Sequence, residues 1–393
     1  MDTTSEYALI ENSLEKLRTY IEKEEFKGYD PYDTLNSFFP FKYLGKLIPV
    51  LAIQFQKRNP VNIRPLLGIK KDYNPKALGL LLYSYSQLQK NNPEKDYSKQ
   101  IDFLFNYLVE NSSKGFSGYC WGYNFDWASS GKYIKAHSPN IVVSAFIAKG
   151  IFFYYQLSKN PKALEVLEST GDFITKDLPR TETREGICFS YTTLGEDCCY
   201  NASLLAAQTL SYIYSVTKDS TYKDLIQKSI DFVVAKQFPD GHWNYSLEIE
   251  TGKERKQIDF HQGYVIDSIK ECIKYAELDG SKYNSIIEKG LTYYKNGQFF
   301  ENGQSKWRVP KIYPVEIHNQ SQGIITFCTE EKYRPFAIKI AEWTIQHMQN
   351  EKGYFYYKKM KNYTHKIPYM RWSESWMFVA LTDLLISLKE KKN

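Results

Sequence analysis

The chain has 393 residues, a net charge of +6, and hydrophobic and charged shares of 42% and 24%. Those values fit a folded chain large enough to bury a sizeable core, and without a Lys/Arg block or a nucleic-acid motif the modest charge makes no case for nucleic acid. The opening residues MDTTSEYALIENSLEKL place acids near the start with no cationic segment before an apolar one, so no signal peptide is evident. The longest apolar stretches, 141–148 and 151–155, are broken by Lys149 and too short to cross a bilayer, which leads us to expect a cytoplasmic protein without membrane insertion. Six cysteines form no CxxC pair and several sit in apolar runs, which suits reduced, mostly buried thiols. The aromatic share is high at 16%, with 33 tyrosines. Tyr joins an apolar face to a hydroxyl, so such a surface suits a sugar, although packing can use the same residues.

In chain order, residues 1–24 read as an extra leading helix and 43–56 as an outer helix paired with an inner one at 75–90. From there one signature recurs, a ring or proline followed by a short polar residue and then an apolar helical run: Tyr73-Asn74, Pro139-Asn140, Tyr200-Asn201, His261-Gln262, His318-Asn319 and Trp372-Ser373. Asn and Ser favour helix N-caps, and Asn74 precedes a proline, so each pair is expected to start an inner helix, with Gln262 the weak member. Between the signatures lie striped, more polar outer helices at about 99–111, 161–176, 221–237, 282–296 and 334–349, by apolar spacing. Gly115, Gly186, Gly241, Gly303 and Gly353 follow them and open aromatic segments such as GHWNYS and GYFYYKK. Self-similarity at this period means an array of helical hairpins. Six pairs closing on themselves give an all-α (α/α)6 toroid, with the hairpins over 43–388, short aromatic strands or loops at one mouth, and one domain over 1–393.

The blocks SGYCWGYNFDW, CYNASLLAAQTL, FPDGHWNYS, IDFHQGYVIDSI, YPVEIHNQSQGIITF and IPYMRWSESWMFVAL resemble a family of polysaccharide biosynthesis proteins from capsular and exopolysaccharide loci, over about residues 70–388. The family also carries a prenyltransferase-like label, which reflects a shared toroid shape and not an activity. More distantly the arrangement is similar to six-hairpin glycosidases, N-acylglucosamine 2-epimerase-type isomerases and the helical domain of glucuronyl C5-epimerases. The resemblance implies a carbohydrate-active protein of surface-polysaccharide biosynthesis, with an oligo- or polysaccharide or a sugar precursor as ligand and polysaccharide-assembly proteins as contacts. The DxDD acid motif of terpene cyclases and a lanthionine-cyclase-like Cys-His zinc pair are both missing, so prenyl transfer loses support.

The sharpest local feature is Asp259-Phe260-His261, repeated one hairpin later as Glu316-Ile317-His318. In an extended lead-in, residues two apart point the same way, so each carboxylate should flank its imidazole, fix the tautomer and raise its basicity. Two such pairs could take a proton from one face of a sugar carbon and return one from another, as an epimerase or lyase requires. The plainer alternative is that both histidines cap helices or satisfy buried polar groups. A glycoside hydrolase would instead choose two carboxylates from Asp126, Glu196, Asp197, Asp259, Glu316 and Glu374. Tyr123, Tyr200, Tyr264 or Tyr369 could act as phenolic acid or base beside Arg371, which would grip a uronate carboxylate through two hydrogen bonds. Trp121, Trp127, Trp243, Trp372 and Trp376 are candidate stacking platforms. His261, His318 and Cys199 or Asp259 could hold zinc but lack the tight spacing of a metal motif. The expected set is therefore His261, His318, Asp259 and Glu316 as catalytic residues. Trp121, Tyr123, Asp126, Tyr200, Trp243, Tyr264, Arg371, Trp372 and Glu374 are the expected substrate contacts, with no metal or other cofactor. A non-catalytic glycan-binding or assembly protein would use the same aromatic bowl.

Overall fold

A computed structural model describes residues 3–129 and 132–389. Thirteen α-helices occur among them: α1 (Thr3–Lys23), α2 (Leu47–Arg58), α3 (Pro75–Asn91), α4 (Ser98–Glu110), α5 (Ile141–Ser158), α6 (Pro161–Asp172), α7 (Tyr200–Thr217), α8 (Thr221–Val234), α9 (His261–Tyr275), α10 (Asn284–Gln298), α11 (Ile317–Cys328), α12 (Arg334–Met348) and α13 (Ser375–Lys389). The inner helices α3, α5, α7, α9, α11 and α13 pack each on the next, and α13 returns onto α3, so the ring closes as an (α/α)6 toroid. Inner helices are apolar on several faces because they are covered from both sides; Ala202 to Tyr214 of α7 is buried without interruption. The core of the molecule is this ring and the striped faces of the helices around it.

One assignment changes. Helix α1 is the sixth outer helix, packed on α12 and α13, rather than an extra leading element. Its stripe Ile10, Leu14, Leu17 and Ile21 is buried, at the spacing of one helical face. The segment read as an outer helix at 43–56 forms α2 instead, which lies against the loop at 33–36 and the strand at 127–128, outside both rings. Apolar content alone could not separate the two, because α2 also buries one stripe, Pro49, Ile53 and Gln56, though against a small cluster outside the rings. The six hairpins therefore draw on residues 3–23 and 75–389, not 43–388. Helix α5 also runs unbroken through Lys149. By length and composition it could cross a membrane, but here it is an inner-ring helix, and Lys149 is neutralised by Glu271 at 2.7 Å.

The repeated glycines explain how neighbouring hairpins seal. A Cβ on Gly241, Gly303 or Gly353 would sit 2.3, 2.5 or 2.2 Å from the carbonyl oxygens of Lys289, Lys339 and Lys16 on the next outer helix. Gly118 and Gly186 press the same way on Ser169 and Lys228. Gly115 meets nothing, so Gly118 is the functional counterpart in the first unit. That the fifth seam ends on Lys16 is independent evidence that α1 completes the outer ring.

A second repeat follows two or three residues on, where the backbone N–H of Trp121, Phe189, Trp243, Ser305 and Phe355 donates to Ser144, Ser203, Gln262, Gln320 and Glu374 at 2.7 to 3.0 Å. The polar signature residues thus divide. Asn74 and Asn140 are true N-caps, whereas Gln262 and Asn319 lie inside the first turn and hold the neighbouring lead-in, Asn319 accepting from the N–H of Phe260 at 3.1 Å. Asn201 and Ser373 are likewise not caps, since α7 starts at Tyr200 and α13 at Ser375. At this end of the ring, short strands line the mouth. Residues 315–316 pair with 358–359, which pair with 364–365, so Glu316 stands opposite Lys358.

Candidate active site

The N-terminal ends of the inner helices surround a cavity of about 890 Å³, within the range that holds a small ligand. Its wall is aromatic, with Tyr32, Tyr123, Tyr191, Tyr245, Trp307 and Trp372 among the lining residues. Eight lysines and arginines face it against three carboxylates, Asp197, Asp259 and Glu316. Each of those carboxylates is already matched by a cation: Lys132 at 3.6 Å, Arg308 at 3.3 Å and Lys358 at 3.2 Å respectively. Lys57, Arg58, Lys135 and Arg255 remain without a carboxylate partner among the described residues.

His261 opens α9 and borders this cavity, with its Nδ1 2.5 Å from Asp259 Oδ1. The pair forms because the short aspartate side chain curls back at the helix start, where Asp259 Oδ1 also accepts the His261 backbone N–H at 3.3 Å. Asp259 Oδ2 accepts from Gln257 at 2.9 Å and faces Arg308. Burial alone would raise the Asp259 carboxyl, yet the charges of His261 and Arg308 hold it below the ordinary aspartate range. A carboxylate acceptor requires the proton on Nδ1, so in the neutral imidazole Nε2 keeps its lone pair, and no protein group among the described residues bonds it. This dyad can exchange a proton with a bound molecule.

The neighbouring hairpin does not repeat it. Glu316 bonds Trp372 Nε1 at 2.7 Å and Lys358, not His318. His318 is buried, with Nε2 2.6 Å from the Tyr264 hydroxyl and Nδ1 unpartnered. Glu316 is the last strand residue, with φ −101 and ψ 132, and its carboxylate is taken by Trp372 and its cross-strand partner Lys358, whereas Asp259 bonds the first turn of its own helix. Phe260 is stacked against both imidazoles, with centroids 4.2 Å from His261 and 4.1 Å from His318, and it screens His318 from the cavity. Burial, with the nearby cations Lys76, His261 and Arg371, pushes His318 protonation well below the usual histidine range. A two-imidazole site is thereby excluded, as is a zinc site joining both histidines; no group of three or more His, Cys, Asp or Glu residues among the described residues could hold a metal.

Of the expected substrate contacts, Tyr123, Arg371 and Trp372 line the cavity. Arg371 is no free anion holder, because Asp30 takes its Nε and Nη2 at 2.5 and 2.8 Å. Trp121 and Trp243 are fully buried, their indole N–H groups donating to Leu108 and Val233 carbonyls at the ends of α4 and α8. Tyr200 donates to Glu254 and Tyr264 to or from His318 beneath the floor, while Asp126 accepts from Tyr133 and Ala136 in its own loop. Tyr369 and Trp376 are buried away from the cavity, and Trp127 borders it. Glu374 is the fifth lead-in clamp. Its burial raises the carboxyl well above the usual range, so it stays protonated. Glu196 is exposed and outside the lining.

Sequence reasoning missed Tyr32, Lys57, Arg255, Lys358 and His365, all of which line the cavity. Lys57 belongs to α2, the helix misplaced in the outer ring. Lys358 could have been found as the register partner of Glu316 had the strand pairing been drawn. Burial lowers both ammonium groups below the usual lysine range and brings His365 down to about 4.

No family model and no curated protein matches the chain. Solved structures do. The chain is similar to cellobiose 2-epimerase from Bacillus thermoamylovorans, with a TM-score of 0.62 at 16% identity over 81% of this chain and 88% of that one. It is also similar to cellobiose 2-epimerase from Spirochaeta thermophila (TM-score 0.61, 14% identity, 82% and 87% covered) and to a glycoside hydrolase family 76 mannosidase from Bacteroides thetaiotaomicron (0.61, 11%, 97% and 100%). At these identities the likeness establishes the (α/α)6 toroid shared by all three.

Proposed function

We propose that the cavity is the active site of a sugar-modifying enzyme that moves a proton at a carbon next to the carboxylate of an anionic, uronate-type saccharide, by epimerisation or elimination. The observation that carries this reading is the His261–Asp259 dyad on an aromatic wall where cations outnumber carboxylates. His261 Nε2 takes the proton, and Asp259 holds Nδ1–H and stabilises the imidazolium that forms. Negative charge then grows on the substrate carboxylate, and Lys57 and Arg255, which line the cavity without a carboxylate partner among the described residues, meet it. Burial raises the phenols of Tyr191 and Tyr245 well above their usual range, so they remain protonated and can hydrogen-bond the bound sugar, while the proton is returned from the His261 imidazolium. The Tyr245 ring stands edge-on to His261 at 4.8 Å. The resolved toroid neighbours, named as epimerases and a mannosidase, favour a carbohydrate ligand. The resemblance to capsular-locus proteins adds a place in surface-polysaccharide synthesis, in the cytoplasm and beside assembly proteins.

Incubation with uronate-containing oligosaccharides in heavy water tests the proposal. Deuterium enters the sugar, or an unsaturated product forms, with the native chain and not with His261→Ala. Exchange that survives this substitution, or binding with no exchange in either protein, sinks the proton-transfer reading. A hydrolase remains the second reading, because Asp197, Asp259 and Glu316 all face the cavity; release of reducing ends that disappears in Glu316→Gln and persists in His261→Ala would select it.

A further inference from the structure

Helix α2 belongs to neither ring, and its surroundings are unlike the rest of the surface. Its inner side rests on a small cluster of Leu35, Ile53 and Ala128. On the other side Leu47, Leu51 and Phe55, one turn apart, are 66%, 52% and 63% exposed, and the adjoining loops add Phe38 at 74%, Tyr43 at 76% and Leu66 at 77%. Ten of the twenty large apolar side chains exposed among the described residues fall within 38–66. Residues 34–71 contain no Asp or Glu and seven Lys or Arg. Arg64 is used internally by Asp33, Lys71 pairs with Glu24, and Lys57 turns to the cavity. Lys42, Lys46, Arg58 and Lys70 are in no ion pair among the described residues.

An apolar face ringed by unpaired cations fits an anionic lipid surface, which offers hydrocarbon and negative headgroups together. A second copy of this chain fits poorly, since a two-fold contact would set one cationic rim against its equal. A peptide partner fits poorly too, because side chains this exposed project outward and form no groove. We propose that residues 38–66 are a peripheral docking surface for an anionic phospholipid bilayer, lying on the membrane without spanning it. The same helix lines the cavity through Gln54, Lys57 and Arg58, so docking sets the mouth of the cavity beside the bilayer.

Flotation of the full chain with phosphatidylcholine vesicles, with and without about 30 mol % phosphatidylglycerol, tests this. Two variants accompany it, a Leu47→Ser, Leu51→Ser, Phe55→Ser triple and a Lys42→Glu, Lys46→Glu double; both change exposed side chains, and unchanged circular dichroism and melting temperature verify the fold. The native chain is expected to bind the anionic vesicles at least about tenfold better than neutral ones, increasingly so at low salt, and each variant to lose at least about tenfold. Three outcomes overturn the proposal: no binding of the native chain to anionic vesicles at low salt, equal binding by the variants, or a native dimer in light scattering that the triple variant abolishes with no vesicle binding by either. None of these readouts depends on catalysis.

Discussion

Two adjacent hairpins carry the same acid-x-histidine spelling and arrive at opposite environments. At α9 the aspartate curls onto its own helix start and presents an imidazole to the cavity. At α11 the glutamate stays on a strand, bonds Trp372 and Lys358, and leaves His318 under Phe260. A two-residue spacing pairs side chains only when no stronger partner claims the acid, and here Glu316 stands on a strand opposite Lys358 while Asp259 has its own helix start to bond. Only at α9 does an imidazole–carboxylate pair face the cavity.

The largest expected effect separates the pair directly. His261→Ala should lower turnover by roughly 10²- to 10⁴-fold, the usual loss of a general base, with the fold intact. His318→Ala should instead leave turnover per folded molecule within about threefold while reducing stability by roughly 2–3 kcal/mol, read from urea midpoints, because a buried ring is removed and the Tyr264 hydroxyl loses its partner. Equal kinetic losses in the two variants would restore the two-histidine reading. Next in size, Asp259→Asn keeps the shape of the side chain but removes the charge that orients His261, and we expect roughly a 10- to 100-fold loss in turnover with KM little changed.

The hairpins should also part company in acid. His318 is held neutral by burial, so as pH falls below about 6.5 the unfolded chain takes up a proton that the folded chain refuses, and stability declines from there toward pH 4. His365 contributes over the same window, from its ordinary value to about 4. Asp259 acts in the same sense but in a lower window. Its folded-state value is depressed, so its contribution is present above about 3.8 and is lost only as pH drops further. Melting temperatures of His318→Gln should therefore vary less between pH 6.5 and 4 than those of the native chain, and those of Asp259→Asn less below pH 4. The smallest effect belongs to Glu374→Gln, within about 0.5 kcal/mol, since burial already keeps that carboxyl protonated and glutamine fills the same clamp at positions 262 and 320.

The inner helices were legible because burial on several faces leaves an apolar run with a recurring polar start, and the outer ones because their stripes are periodic. Why the polar residues recur was not legible, since a first-turn Gln that clamps the previous lead-in and an Asn that caps a helix have the same spelling. The roles of α1 and α2 were exchanged because each is an amphipathic segment ahead of the first clear hairpin, and only ring closure decides between them. Within the site, His261 and Asp259 could be found from adjacent sequence. Lys57, Arg255 and Lys358 could not, because their meeting depends on the misplaced α2 and on strand pairing across units. Trp121 and Trp243 misled for a related reason: an indole that stacks on a sugar and one that ties off a helix end both sit in an aromatic lead-in.

The seam between Gly353 and Lys16 has a consequence for how the chain reaches this state. Four of the glycine seams join segments close in sequence, whereas this one joins residues more than 300 positions apart, reinforced by Ser13 to Gln349 at 2.8 Å and Asp30 to Arg371 at 2.5 Å. Contacts of such long range carry the greatest loop-closure entropy and form late. During synthesis α1 is made well before α12 and α13, the helices that cover Ile10, Leu14 and Leu17 in the closed ring. Removing residues 3–23 should then leave a chain whose first five units assemble while α13 stays unsealed and aggregation-prone.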